Sequence, residues 1–157
     1  MFTIADIRNI AIQIERNGEA TYRKAAEAVS DPELAKAFNR MADDEKRHAQ
    51  WFGTIQTDRE LTAEQSEMEA VGKSILREMV KDKTFSLEDN TLAGIDNLHD
   101  LINESQGFEE DTILFYEMLS GFIDDEHTLE QLNRIIAEEK RHSEELRELL
   151  DSAATQA

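Results

Sequence analysis

Residues 39–48 read Asn39-Arg40-Met41-Ala42-Asp43-Asp44-Glu45-Lys46-Arg47-His48, and residues 133–142 read Asn133-Arg134-Ile135-Ile136-Ala137-Glu138-Glu139-Lys140-Arg141-His142. The tail Glu-Lys-Arg-His is identical at a shift of 94 positions (139 − 45 and 142 − 48). Thirty residues before each of these glutamates stands another, Glu15 before Glu45 and Glu109 before Glu139. Seven residues after those come Tyr22 and Tyr116, again 94 apart. One Glu-x-x-His is a weak signal, because helices contain the pattern by chance. Two in one register, each with an upstream Glu, match the donor inventory of a two-metal site in a helix bundle. Such a site takes one Glu from each of two helices and one Glu-x-x-His from each of the others. On an α-helix the Glu and His of this motif lie roughly 60° apart around the axis and about 4.5 Å along it, so both face one cavity.

Outward from the motif, apolar residues fall at helical spacing: Leu34, Phe38, Met41 and Phe52 around the first copy, Leu132, Ile135, Leu146 and Leu149 around the second. Each stripe has the form of a bundle helix's core face, with Glu and His where an aliphatic side chain is expected. Polar groups placed there need partners, since unpaired burial is costly. A first helix is expected over 3–29, stopped by Ser30-Asp31-Pro32, because proline cannot continue it. Pro32 suits the first turn of a second helix reaching about Thr57. A third is expected from near Asp100 to Ser120-Gly121, with Leu98, Ile102, Glu109, Ile113 and Tyr116 on its stripe, and a last over about 124–151. Segment 58–99 is too long for a tight turn. Within it, Thr62-Ala63-Glu64-Gln65 resembles a capping box, followed by Met68, Val71, Ile75 and Met79 at helical spacing. The expected fold is therefore all-α: residues 1–157 as a single domain, a four-helix bundle of ferritin-like topology whose two hairpins are joined by a long, partly helical crossover.

The shift separates candidate ligands from their neighbours. Glu19 corresponds to Ile113, Glu110 to Arg16 and Glu104 to Ile10, while His99 and His127 correspond to Ala5 and Glu33. Asp44 and Glu138 do correspond, but each stands about 100° around the helix from the neighbouring Glu, toward the flank. The candidate metal ligands, and hence the catalytic site, are Glu15, Glu45, His48, Glu109, Glu139 and His142. Tyr22 and Tyr116 are either core aromatics or hydrogen-bond partners of ligating glutamates.

Four converging carboxylates without cations would repel one another and lose hydration. Two divalent ions balance them. Oxygen and imidazole donors suit Fe(II), Mn(II) or Zn(II). Iron is the first expectation and manganese the alternative. The 157 residues contain no cysteine, which excludes thiolate and iron–sulfur sites. The formal charge of −18 repels phosphate backbones, so no nucleic-acid partner is expected. No apolar run approaches the roughly 20 residues needed to span a bilayer, so no membrane partner is expected. The first residues show no signal-peptide pattern, and the expected location is cytoplasmic.

Four stretches together resemble the rubrerythrin-like branch of the ferritin-like superfamily: Ala11-Ile12-Gln13-Ile14-Glu15-Arg16-Asn17-Gly18-Glu19-Ala20-Thr21-Tyr22, Asp44–His48, Phe108-Glu109-Glu110-Asp111-Thr112-Ile113-Leu114-Phe115-Tyr116 and Glu138–His142. The resemblance covers nearly the whole chain and is least diagnostic in the crossover. It implies a di-iron (Fe2+/Fe3+) four-helix bundle, oligomeric, with ferroxidase or peroxide-reducing activity on hydrogen peroxide or oxygen; a homodimer is expected here. The resemblance also implies two departures. Rubrerythrins proper have a cysteine-bound iron domain that feeds electrons to the site, so a separate electron-donor protein is expected. They also have an extra glutamate three residues after the third-helix ligand, where this chain has Thr112. Two alternatives stand beside the oxidoreductase reading. One is a ferroxidase serving a separate iron store. The other is a metal-free helical interaction module whose Glu and His pair with Arg40, Arg47, Arg134 and Arg141.

Overall fold

The computed structural model describes residues 4–55, 63, 67, 98–121, 123 and 125–155. Four long helices carry the chain: α1 (Ile4–Ala28), α2 (Pro32–Phe52), α3 (Leu98–Ser120) and α4 (Glu126–Thr155). No strand occurs among the described residues. α1 packs along α2 and α3 along α4, making two hairpins, and α1 meets α3 across the bundle.

The ends follow from local chemistry. Asp31 caps α2 by accepting the Glu33 N–H at 3.0 Å, with Pro32 in the first turn, where its missing N–H costs nothing. Asp125 caps α4 through the N–H (2.8 Å) and hydroxyl (2.7 Å) of Thr128. α2 stops at Phe52, short of the expected Thr57. Gly53 follows, a residue that costs about 1 kcal/mol in a helix interior. Thr54 then turns both its N–H (2.9 Å) and its hydroxyl (2.6 Å) back onto the Trp51 carbonyl, a local bond that competes with helix continuation. α3 begins two residues before the expected Asp100, and α4 runs to Thr155 rather than 151. The expected crossover, 58–99, lies outside the described residues up to Leu98, except for Ala63 and Glu67, which are helical and exposed.

Burial repeats the sequence shift. Phe38, Ala42, Glu45, His48 and Phe52 are buried on α2, as are Leu132, Ile136, Glu139, His142 and Leu146 on α4, each 94 later. Ala11, Ile14, Glu15, Thr21 and Tyr22 on α1 match Ser105, Phe108, Glu109, Phe115 and Tyr116 on α3 in the same way. Two apolar clusters result. One gathers Ile7, Ile10, Ile14, Phe52, Phe115, Leu132 and Ile135; the other gathers Ala25, Phe38, Met41, Ile102 and Leu146. On α1, α2 and α4 the polar positions fall between the two clusters, so a carboxylate and imidazole layer lies between two apolar plugs. Among the described residues no helix is long and apolar enough to cross a membrane.

Candidate metal centre

Each helix delivers its share of the layer: Glu15 and Tyr22 from α1, Glu45 and His48 from α2, Glu109 and Tyr116 from α3, Glu139 and His142 from α4. All eight are at most 2% exposed. The structure brings the six candidate ligands together in two overlapping groups, Glu15, Glu45, His48 and Glu139, and Glu45, Glu109, Glu139 and His142. Within each, one donor atom per residue lies within 4.8 Å of all the others. Glu45 and Glu139 belong to both groups. His99 and His127 belong to neither and are exposed.

Whether these residues fit a pair of cations is answered by their unused atoms. Glu15 Oε2, Glu45 Oε1, Glu109 Oε2, Glu139 Oε2 and His142 Nδ1 are buried without a hydrogen bond. Buried polar atoms nearly always have a hydrogen-bond partner, and here five atoms without one converge on one layer. His142 Nδ1 stands 3.0 Å from Glu45 Oε1 and 3.4 Å from Glu139 Oε2. His48 Nδ1 stands 2.9 Å from Glu139 Oε1 and 3.5 Å from Glu15 Oε2. The donor set therefore fits two divalent cations.

The electrostatics of the metal-free chain point the same way. Burial, then repulsion from Glu139, Glu15 and Glu109, pushes the Glu45 carboxyl well above its usual range. Burial and the Glu139 charge push Glu109 up to about 8. Burial also opposes ionisation of Glu139, but its hydrogen bonds with Glu109, His142 and His48 outweigh that and hold it below the usual range. Burial disfavours the imidazolium forms of the histidines, yet surrounding carboxylates win. Glu15, Glu138 and Glu139 hold His48 charged well above its ordinary range, and Asp44, Glu109, Glu139 and Glu45 do so for His142. Protons thus occupy the layer where cations belong.

The supporting hydrogen bonds cross between hairpins. Tyr22 on α1 donates to Glu109 Oε1 on α3 at 2.5 Å, and Tyr116 on α3 donates to Glu15 Oε1 on α1 at 2.5 Å. Burial and those neighbouring carboxylates raise both phenols, so each keeps its proton and acts as a donor. The imidazoles cross likewise: His142 Nε2 bonds Asp44 Oδ2 on α2 at 3.0 Å, and His48 Nε2 bonds Glu138 on α4. Both carboxyls fall to about 2. For Asp44 burial resists the shift and the His142 and Arg47 bonds overcome it; for Glu138 the His48 bond leads. Arg47 Nη2 joins these two carboxylates, 2.9 Å from each. A carboxylate on the outer nitrogen fixes which nitrogen faces inward and raises its basicity.

Asp44 and Glu138, which hold the outer imidazole nitrogens, are the residues that the flank argument set aside. Their own register (138 − 44 is 94) was the signal. They are not among the ligand groups, but an imidazole pointing inward from one helix presents its far nitrogen to the flank of the other. Asp44→Asn and Glu138→Gln should each weaken metal affinity by about ten- to a hundredfold, read by calorimetric titration; unchanged affinity in both would make these contacts incidental.

The two halves differ around position 18. Gly18 faces Glu45 so closely that a Cβ there would lie 2.8 Å from Glu45 Oε2. Its counterpart Thr112 is buried and turns its hydroxyl to the Phe108 carbonyl at 2.8 Å. Three of the arginines named in the metal-free alternative pair with other carboxylates than the six candidate ligands: Arg40 binds Glu145, Arg134 binds Glu130, and Arg47 binds Asp44 and Glu138.

Residues 6–150 match the family model described as Rubrerythrin. A Thermotoga maritima protein with the provisional description of a ferritin-like diiron-carboxylate protein, known from a crystal structure at 2.30 Å, superposes with a TM-score of 0.69 over 97% of each chain. At 21% identity that likeness is one of fold: an all-α, ferritin-like four-helix bundle. No curated protein matches the chain in sequence.

Proposed function

The chain belongs to the rubrerythrin family, and from that premise we propose that it is a cytoplasmic di-iron oxidoreductase that oxidises Fe(II) with hydrogen peroxide or oxygen. The observation that carries this reading is the pair of overlapping ligand groups sharing Glu45 and Glu139. Glu15 and His48 would hold one iron ion, Glu109 and His142 the other, and Glu45 and Glu139 would serve both. Iron bound there supplies two electrons to the O–O bond and Lewis acidity; with peroxide, two Fe(II), one H2O2 and two protons give two Fe(III) and two waters. The protein's part is positional. Asp44 and Glu138 aim the imidazoles, Tyr22 and Tyr116 fix one oxygen of Glu109 and Glu15, and the apolar plugs keep bulk water out.

The test is an anaerobic Fe(II) titration of metal-free protein followed by stopped-flow mixing with peroxide or oxygen. Saturation at two ions per chain with faster oxidation by peroxide supports the peroxidase reading. Absence of binding would end it. Continued consumption of many Fe(II) per chain would favour service to an iron store, and oxygen evolution from peroxide would favour manganese.

Loading should depend on pH with a definite sign. Glu109 keeps its proton to about pH 8 when folded, well above the unfolded carboxyl, so the metal-free fold loses stability as pH rises through that window. The contribution of His48 and His142, whose folded values are raised, is fully present below the ordinary histidine range and is lost progressively above it. Metal uptake runs the other way, because those protons must leave before the donor atoms are free. The gap in melting temperature between metal-loaded and chelator-stripped protein should therefore widen from about pH 5 to about pH 8. A gap that does not change with pH would mean that metal displaces no protons.

A further inference from the structure

We propose that Trp51, Phe52 and Tyr116 form a one-electron path from the surface to Glu15, and that Trp51 is where a separate one-electron donor protein, of the flavin or iron–sulfur class, delivers its electron. Trp51 is the only tryptophan of the chain and is partly exposed at the end of α2. Its ring centroid lies 5.1 Å from that of Phe52, and Phe52 lies 5.0 Å from Tyr116. Phe52 and Tyr116 are fully buried, and the Tyr116 hydroxyl donates to Glu15 Oε1. An easily oxidised indole at the surface and an easily oxidised phenol at the site are thus joined by one intervening ring.

The internal repeat shows what packing alone asks of these places. Ninety-four residues after Trp51 and Phe52 stand Glu145 and Leu146. Leu146 fills its position with an aliphatic side chain, fully buried, and Glu145 pairs with Arg40 at the surface. Tyr22, the counterpart of Tyr116, has Phe38 at 6.3 Å and His142 at 6.2 Å as its ring neighbours among the described residues, and both are buried. Among the described residues the route to the surface is therefore found in one half.

In use, Tyr116 supplies one of the two electrons that reduce peroxide to two waters, a single Fe(II) supplies the other, and the phenolic proton passes to Glu15 Oε1, leaving a neutral phenoxyl radical. An electron from Trp51 by way of Phe52, with the proton returned by Glu15, restores the phenol. The donor protein then reduces the indole radical, so one electron enters for each one spent. This use rests on the di-iron oxidoreductase reading; conduction between the rings does not.

The experiment is pulse radiolysis of the full-length chain without iron, so that no other redox centre competes, with azidyl radical as the one-electron oxidant of the indole. The rings conduct in either direction, and here the electron runs in reverse, from Tyr116 to the indolyl radical of Trp51, so that radical should decay in a first-order process matched by growth of the tyrosyl band. Tyr22→Phe should leave that growth intact, Tyr116→Phe and Trp51→Phe should abolish it, and Phe52→Leu should slow it severalfold, with helical content by circular dichroism unchanged. Growth that survives in Tyr116→Phe, vanishes in Tyr22→Phe, depends on protein concentration, or never appears in the parent chain would overturn the path. Two bound Fe(II) with no radical transfer would leave the di-iron reading standing and remove only this route. Radical transfer without iron binding would establish conduction and remove its role in peroxide reduction.

Discussion

Glu139→Ala should abolish loading of both metal ions and all peroxide-dependent Fe(II) oxidation, whereas Glu109→Ala should leave one ion bound. The difference comes from membership: Glu139 takes part in both ligand groups and Glu109 in one. Glu139 also anchors both imidazoles, lying 2.9 Å from His48 Nδ1 and 3.4 Å from His142 Nδ1. Its removal leaves two buried imidazolium ions short of a counter-charge, and breaking a buried pair in this way costs about 3–5 kcal/mol. Metal-free Glu139→Ala should accordingly melt below the parent. Equilibrium dialysis against Fe(II), with bound iron counted per chain, checks the stoichiometry. Equal loss in both variants would mean that the site forms all or none, and retention of two ions in Glu139→Ala would remove it from the ligand set.

Glu45→Gln should do the reverse to stability while equally destroying the site. In the metal-free chain burial and three neighbouring carboxylates push this carboxyl well above its usual range, and a neutral amide of the same shape carries none of that repulsion. Removing a carboxyl whose charge three buried carboxylates oppose relieves that repulsion and should raise the melting temperature of the metal-free protein. The amide cannot serve as an anionic donor to either ion, so loading should fall sharply. A rise in the melting temperature of the metal-free protein together with lost Fe(II) binding would identify Glu45 as a residue kept at the expense of stability. A fall in melting temperature would show that its charge is needed by His142 even without metal.

The six residues that the structure buries and gathers were legible in the sequence because two independent regularities met there, the apolar stripe and the shift of 94. Where only one applied, the reading was incomplete. The tyrosines were placed on the correct face, but their partners were not identified. Seven residues put Tyr22 roughly 10 Å along the helix from Glu15, too far for a bond on its own helix, and the bond goes instead to Glu109 in the other hairpin. A repeat relates like positions in two halves and does not say which half a side chain reaches into. Asp44 and Glu138 were set aside for their flank position; that a flank carboxylate holds the outer nitrogen of a candidate ligand's ring needs the inter-helix geometry. The end of α2 escaped because Thr54 closing on Trp51 is a local competition that stripe periodicity ignores.

The two apolar plugs have a kinetic meaning. All six donor residues are at most 1% exposed, so a bulky, charged chelator cannot reach a bound ion in the closed bundle. Extraction must wait for the helices to part, and the parting rate belongs to the protein. Metal should therefore leave at a rate that levels off as chelator is added, equal to the opening rate of the bundle. Bound metal is thus retained by the rate of opening as well as by affinity.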